Sequence, residues 1–233
     1  MNVMTCNRPR GLFFTGTDTG VGKTYVAALV ARTLAAQGRR VGVYKPAASG
    51  CRGEGDTLVS DDAVALWNAA GRPGELDRVC PQRFLAPLAP HLAARAEGAR
   101  LDAELLRQGI DYWRDRSDVI LVEGAGGLMS PLGEDEYVAD LTYDFGFPLV
   151  IVARNALGTI NQTLQTLITA AAFRDGLPVA GIVLNSPSPP SGDPSTATNR
   201  QELQARAGAP ILAEVAYQAE CFDTQVDWHR LAR

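Results

Sequence analysis

Near the start of this 233-residue chain, Gly16-Thr17-Asp18-Thr19-Gly20-Val21-Gly22-Lys23-Thr24 has the residue types and order that hold a polyphosphate. Its glycines let the backbone curl so that successive N–H groups converge on one point, an anion nest. A helix opening at the end of the loop adds the partial positive charge of its N-terminus at the same point. Lys23 is then placed to reach the β- and γ-phosphates, and the Thr24 hydroxyl to ligate Mg²⁺. The usual pattern has glycine six residues before the lysine. Here that residue is Thr17, and the glycine, Gly16, comes one residue earlier, so the loop is a variant one residue longer.

Such a loop needs a strand before it and a helix after it. The apolar run Gly11-Leu12-Phe13-Phe14-Thr15 and the alanine-rich segment 25–36 supply them. Beyond these, apolar runs alternate with amphipathic stretches, the rhythm of a parallel sheet with crossover helices. Strands are expected over 40–45, 118–123, 148–153, 179–184 and 211–215. Helices are expected over 63–70, 91–97, 101–116, 138–145, 159–174 and 199–207, the first opened by Asp61 or Asp62. The loop after Pro46, the proline-rich segment 72–90, the Pro/Ser-rich loop 186–194 and the tail after Gln218 carry no regular pattern. The expected fold is α/β, a single three-layer domain spanning 1–233 with a mainly parallel central sheet flanked by helices.

In open parallel sheets, ligands collect at the carboxyl ends of the strands. That rule draws Lys45, Glu123 and Asn185 to the edge that carries the glycine loop. Glu123 follows an apolar strand and precedes Gly124-Ala125-Gly126-Gly127, where backbone can approach a ligand; it is either a second metal carboxylate or a strand-end acid facing water. Asp62 is either a third metal ligand or a helix N-cap. Lys45 suits developing charge on a transferring phosphoryl group, against the plainer role of a solvated lysine. Asn185 either hydrogen-bonds a base edge or makes an Asx turn into Ser186-Pro187. His91 has no visible partner and reads as structural.

Composition narrows the classes. A net charge of −4 and a pI near 5.3 argue against nucleic acid or an anionic membrane as the main partner. No apolar run approaches the roughly 18 residues of a membrane span, and 1–10 lacks an apolar export core. Cys6, Cys51, Cys80 and Cys221 are scattered, as expected for reduced thiols. His91 and His229 are too few for a histidine metal centre. Together these features indicate a soluble cytoplasmic enzyme.

The loop, Tyr44-Lys45-Pro46-Ala47-Ala48-Ser49-Gly50, Ser60-Asp61-Asp62-Ala63, Pro90-His91, Val122-Glu123-Gly124-Ala125-Gly126-Gly127 and Leu157-Gly158-Thr159-Ile160-Asn161 occur in the order found in dethiobiotin synthetases. The chain closely resembles that family over about residues 11–217. The resemblance implies a homodimeric, Mg²⁺-requiring enzyme that uses ATP and CO₂ to close a cyclic urea on 7,8-diaminononanoate. It implies that Gly20, Val21, Gly22, Lys23, Thr24 and Tyr25 bind ATP together with Gly124, Ala125 and Gly126. Thr24, Asp62 and Glu123 would hold the metal, and Lys45, Lys23 and Thr19 would serve catalysis. Ser49 and Lys45 would contact the diamine, and Leu157, Gly158 and Asn161 would meet its carboxylate end near the neighbouring subunit. Asn185, Ser186, Ala216, Tyr217 and Gln218 would lie by the nucleotide. Departures fall there and at the carboxylate segment: Gln162 stands where histidine often follows the asparagine, Ser186 where aspartate is common, and Ala216 in place of a proline. The competing class is a partitioning-type ATPase switch. Such proteins carry a signature lysine five residues before the loop lysine, where this chain has Asp18. A cobyrinic-acid-type amidoligase would need a fused glutaminase domain, for which 233 residues leave no room.

Overall fold

Uninterrupted apolar runs must be covered on both faces, and in this protein they build one central sheet. The computed structural model describes residues 10–232 apart from Asp56 and Ser191; the segment 1–9, including Cys6 and most of the stretch read for an export core, lies outside the described residues. In chain order, β1 (Arg10–Gly16) leads through the glycine loop into α1 (Lys23–Ala36), followed by β2 (Val41–Tyr44). The two-residue β3 (Ala47–Ala48) precedes an antiparallel pair, β4 (Arg52–Glu54) and β5 (Thr57–Val59). Then come α2 (Asp61–Ala69), α3 (Leu76–Val79), β6 (Gln82–Arg83), α4 (Pro90–Ala96), α5 (Ala103–Gln108) and α6 (Asp111–Arg114). The second half runs β7 (Val119–Gly127), α7 (Val138–Phe145), β8 (Leu149–Arg154), α8 (Thr159–Ala172) and β9 (Val179–Asn185). It closes with α9 (Asn199–Arg206), β10 (Ile211–Val215) and α10 (Trp228–Leu231).

Six strands pair in the order β10-β9-β8-β1-β7-β2, each neighbouring pair parallel. Consecutive residues Leu12, Phe13 and Phe14, and Leu149 to Ala153, are wholly buried, so both faces are covered and the three-layer α/β reading holds. Each of the Leu, Val, Ile and Phe side chains among them contributes about 1.5–3 kcal/mol by leaving water. The order puts β1 between β7 and β8, so the loop after it has the ends of β7 and β2 on one side and those of β8 and β9 on the other. No helix among the described residues is long and apolar enough to cross a membrane.

Several segments differ from expectation. The loop after Pro46 contains β3 and the β4–β5 pair, and 72–90 contains α3 and β6; β6 pairs with β3 in parallel and anchors the chain just before Ser49. The helix expected over 101–116 is two short helices; at the break the Tyr44 hydroxyl donates to the Leu105 and Leu106 carbonyls at 3.0 Å, and Gly109 packs so close that a Cβ there would stand 2.3 Å from the Tyr44 hydroxyl oxygen. The patternless tail folds back through Trp228, which is buried against Phe222 with ring centroids 5.0 Å apart.

Candidate active site

Strand register assembles the site. Tyr44 pairs with Val122, so Lys45 and Glu123, the next residue on each segment, emerge side by side, with Lys45 Nζ 2.7 Å from Glu123 Oε1. Ser60 is the N-cap of α2, its hydroxyl accepting from the Ala63 N–H at 3.3 Å. The capping role read for Asp61 or Asp62 therefore falls to Ser60, and Asp62 is free to place Oδ2 3.0 Å from Lys45 Nζ. The Thr24 hydroxyl donates to Glu123 Oε1 at 2.8 Å. Four segments distant in sequence thus meet at one point.

The electrostatics follow from burial. Lys23, Lys45 and Glu123 are 8%, 4% and 1% exposed. Burial disfavours the charged form of a lysine. At Lys23 that effect prevails and holds the ammonium below its ordinary value; Glu123 opposes it and Lys45 reinforces it. At Lys45 burial also pulls downward, but Glu123 and Asp62 outweigh it and hold the group above its ordinary value, permanently protonated at neutral pH. Burial would raise Asp62, yet the Lys45 ammonium keeps its carboxyl below the usual range. Among the described residues, Glu123 Oε2 is buried with no hydrogen-bond partner. A bare carboxylate oxygen beside a threonine hydroxyl and a second carboxylate is a hard-oxygen donor set. It suits Mg²⁺, which takes one or two protein carboxylates and completes its shell with water and phosphate. Among the described residues no group of three or more His, Cys, Asp or Glu side chains could hold a metal.

The loop is pinned from its outer side. Asn185 Nδ2 donates to the Val21 carbonyl at 2.8 Å, and a guanidinium N–H of Arg154 donates to the Gly20 carbonyl at 3.2 Å. Arg154 and Asn185 are register partners at the ends of β8 and β9, so two successive loop carbonyls are tied to two adjacent strands. Asn185 therefore directs its amide at the loop backbone instead of making the Asx turn considered from sequence. Arg154 belongs to no sequence motif; its place at a strand end on the ligand edge is the signal the sequence carries for it. Gly16 is required because a Cβ would lie 2.6 Å from the Asp18 carbonyl and 3.2 Å from Lys23 Nζ, which folds back across the loop. We expect Asn185→Ala to raise KM for ATP about tenfold, the scale of one hydrogen bond whose loss leaves a polar group unpaired. Steady-state kinetics with varied ATP check this.

The remaining site residues divide into those near the loop and those facing outward. Thr19 reaches over Gly126, its hydroxyl 4.0 Å from where a Cβ on that glycine would stand, and its N–H donates to Asp18 Oδ1 at 2.7 Å. Ser49 follows β3, which β6 fixes. A cavity of about 390 Å³ is lined by Thr17, Asp18 and Thr19, by Ser130, and by Gln162 and Gln165 of α8; across it the Gln162 amide donates to Asp18 Oδ2 at 3.5 Å. Leu157, Gly158 and Asn161 stand apart from the Lys45–Glu123 cluster: Leu157 is 84% exposed, and its N–H donates to Asp193 Oδ2 at 2.8 Å. Ser186 N–H donates to the Val215 carbonyl at 2.9 Å, which places the start of 216–218 beside Asn185.

A wholly parallel sheet with a glycine loop after its central strand, two buried lysines and two carboxylates defines a phosphate-loop nucleotide-hydrolysing fold. A family profile described as "AAA domain" matches residues 10–225. Among solved structures, a ParA family ATPase from Chlorobium tepidum shares the fold at 20% identity and TM-score 0.55, over 92% of this chain and 86% of that one. The signal recognition particle receptor FtsY from Elizabethkingia anophelis shares it at 14% identity and TM-score 0.56, over 97% and 64%. Relatives named ATP-dependent dethiobiotin synthetase BioD are much more similar. The protein from Rhodopirellula baltica is 44% identical, over 87% of this chain and 82% of its own. That from Anaeromyxobacter dehalogenans strain 2CP-C is 45% identical, over 91% and 92%, and that from Bacillus licheniformis 40%, over 93% and 90%. The chain belongs to the ATP-dependent dethiobiotin synthetase family.

Proposed function

We propose that this protein joins CO₂ to 7,8-diaminononanoate at the expense of ATP, giving dethiobiotin, ADP and phosphate; it is a cyclo-ligase that forms carbon–nitrogen bonds in biotin synthesis. The observation that carries the reading is Lys45, protonated and buried between Glu123 and Asp62 beside the glycine loop. One substrate amine captures CO₂ as a carbamate, an anion and hence a poor electrophile. A carbamate oxygen attacks the γ-phosphorus, ADP leaves, and a carbamic–phosphoric anhydride results. The second amine attacks its carbonyl carbon, phosphate departs and the ring closes. Negative charge concentrates where carbamate oxygen meets γ-phosphate, and Lys23 and Lys45 offset it with positive charge already in place. Thr24, Asp62 and Glu123 would hold Mg²⁺, which would supply further charge neutralisation when bound. No protein nucleophile is needed.

Around this centre the ATP site comprises Gly20 to Tyr25 and Gly124 to Gly126, with Asn185, Ser186, Ala216, Tyr217 and Gln218 toward the base. Thr19, Lys45 and Ser49 surround the reacting amines. Leu157, Gly158 and Asn161 serve the substrate carboxylate. Their outward position fits a homodimer in which the segment reaches the neighbouring subunit's substrate, because the N–H groups of a helix start attract a carboxylate. The whole chain, 1–233, acts as one domain in the cytoplasm, with no nucleic-acid or membrane partner.

The test is phosphate release from Mg-ATP and bicarbonate, with and without 7,8-diaminononanoate, and the mass of the organic product. Release that depends on the diamine, with a product heavier by one carbonyl less two hydrogens, is the expected result. ATP turnover indifferent to the diamine would favour the partitioning-type switch instead. That reading lacks its signature lysine, since Asp18 occupies the position and binds the neighbouring Thr19 N–H.

A further inference from the structure

The chain leaving β10 does not run into solvent but crosses back to α1. The Tyr25 hydroxyl donates to the Ala219 carbonyl at 2.7 Å, and the Arg32 guanidinium donates to the Glu220 carbonyl. These bonds join positions 194 and 188 residues apart in sequence. Between β10 and α1 the chain makes a tight turn, with Ala219 N–H donating to the Ala216 carbonyl at 3.0 Å and Gln218 held at φ 57°, the left-handed region that favours glycine. A non-glycine residue keeps that conformation only where its surroundings impose it. The far end is fastened too: Asp223 accepts from the Glu214 N–H at 2.6 Å and from Arg200 at 2.7 Å. Residues 216–223 therefore form a strap fixed to β10 at both ends and tied to the helix that carries Lys23 and Thr24.

The place of the strap gives it a role. The terminal phosphate belongs at Lys45, Glu123 and Asp62, which lie on the β7–β2 side of the loop. A nucleotide laid along the loop must then extend toward the β8–β9 side, over Asn185, and there Tyr217 and Gln218 stand 38% exposed and exposed respectively. We propose that Arg32 and Tyr25 are positioning residues for base selectivity: through the Glu220 and Ala219 carbonyls they set the turn against which the nucleotide base packs. This rests on the nucleotide placement proposed above. Selectivity here is a property of backbone position, so two side chains on α1, one of them more than two helical turns below the loop, control it.

The experiment titrates ATP and CTP against the full-length protein and its Arg32→Met variant, both by diamine-dependent phosphate release and by direct calorimetric binding of ADP and CDP, with melting temperature recorded. We expect Arg32→Met to raise KM for ATP about tenfold, the scale of one lost hydrogen bond from a charged donor. The ATP-to-CTP preference should fall, kcat should stay within about twofold and KM for the diamine should not move. Arg32→Lys should recover part of the preference, and Tyr25→Phe should lower it in the same direction. An unchanged ratio of ADP to CDP affinity in Arg32→Met overturns the proposal, as does an equal loss for both nucleotides accompanied by a lowered melting temperature, which would make the strap merely structural. If the unsubstituted protein shows no diamine-dependent turnover, the proposed reaction fails, and the calorimetric arm still decides the role of the strap.

Discussion

Lys45→Gln lowers turnover by about two or more orders of magnitude while ATP binding stays largely intact, the scale for losing one preorganised charge at the site where charge develops. The substitution keeps a donor that can reach Glu123 Oε1 but removes the positive charge held there by two carboxylates. In the proposed site Lys23 remains to hold the nucleotide, so the loss is expected on the chemical step. Breaking a buried ion pair by neutralising one partner also costs about 3–5 kcal/mol of stability when nothing compensates. The melting temperature is therefore measured with the kinetics. Single-turnover rates of phosphate release at saturating ATP check the prediction, and near-normal turnover would remove Lys45 from the catalytic machinery.

Gly22→Ala has a comparable effect through a different step: it should raise KM for ATP about a hundredfold or more, from strain plus a displaced buried amide that together cost about 3 kcal/mol. Gly22 has φ 89°, and a Cβ there would stand 2.1 Å from Asn185 Nδ2. Alanine must expel Asn185 or shift the loop, and either change misaims the N–H groups of the nest. The double variant Gly22→Ala/Asn185→Ala separates the two causes. If crowding dominates, removing the asparagine side chain restores part of the affinity; if the left-handed backbone dominates, the double variant binds no better than the single one. Calorimetric titration with ATP reads both, and wild-type affinity in Gly22→Ala would refute the geometry described here.

Much of this protein was legible before folding because the informative signals are local. The phosphate loop announces itself through glycine and lysine spacing, and the six sheet strands through apolar runs too continuous to face water. What the chain alone left open was choice among roles for single residues. Asp62 reads equally as cap or ligand until Ser60 is seen to take the cap and Lys45 to lie 3.0 Å from Asp62 Oδ2. Asn185 reads as base contact or Asx turn, and only the fold shows that its Nδ2 is committed to the Val21 carbonyl. Arg154 carries no motif at all, yet register places it beside Asn185 and against Gly20. At the break near Gly109 the Leu105 and Leu106 carbonyls accept from the Tyr44 hydroxyl, a residue far away in sequence.

The amino-acid sequence by itself determined the fold class, the identity of the nucleotide loop and the set of charged residues available at one sheet edge, since periodicity and short motifs encode these within a few residues. Only the tertiary structure decided which of those charges pair, which loop carbonyls are pinned and where the tail goes. Those outcomes depend on strand register and on burial, which set distances between residues as much as 219 positions apart and turn ordinary side chains into a desolvated, mutually charged site.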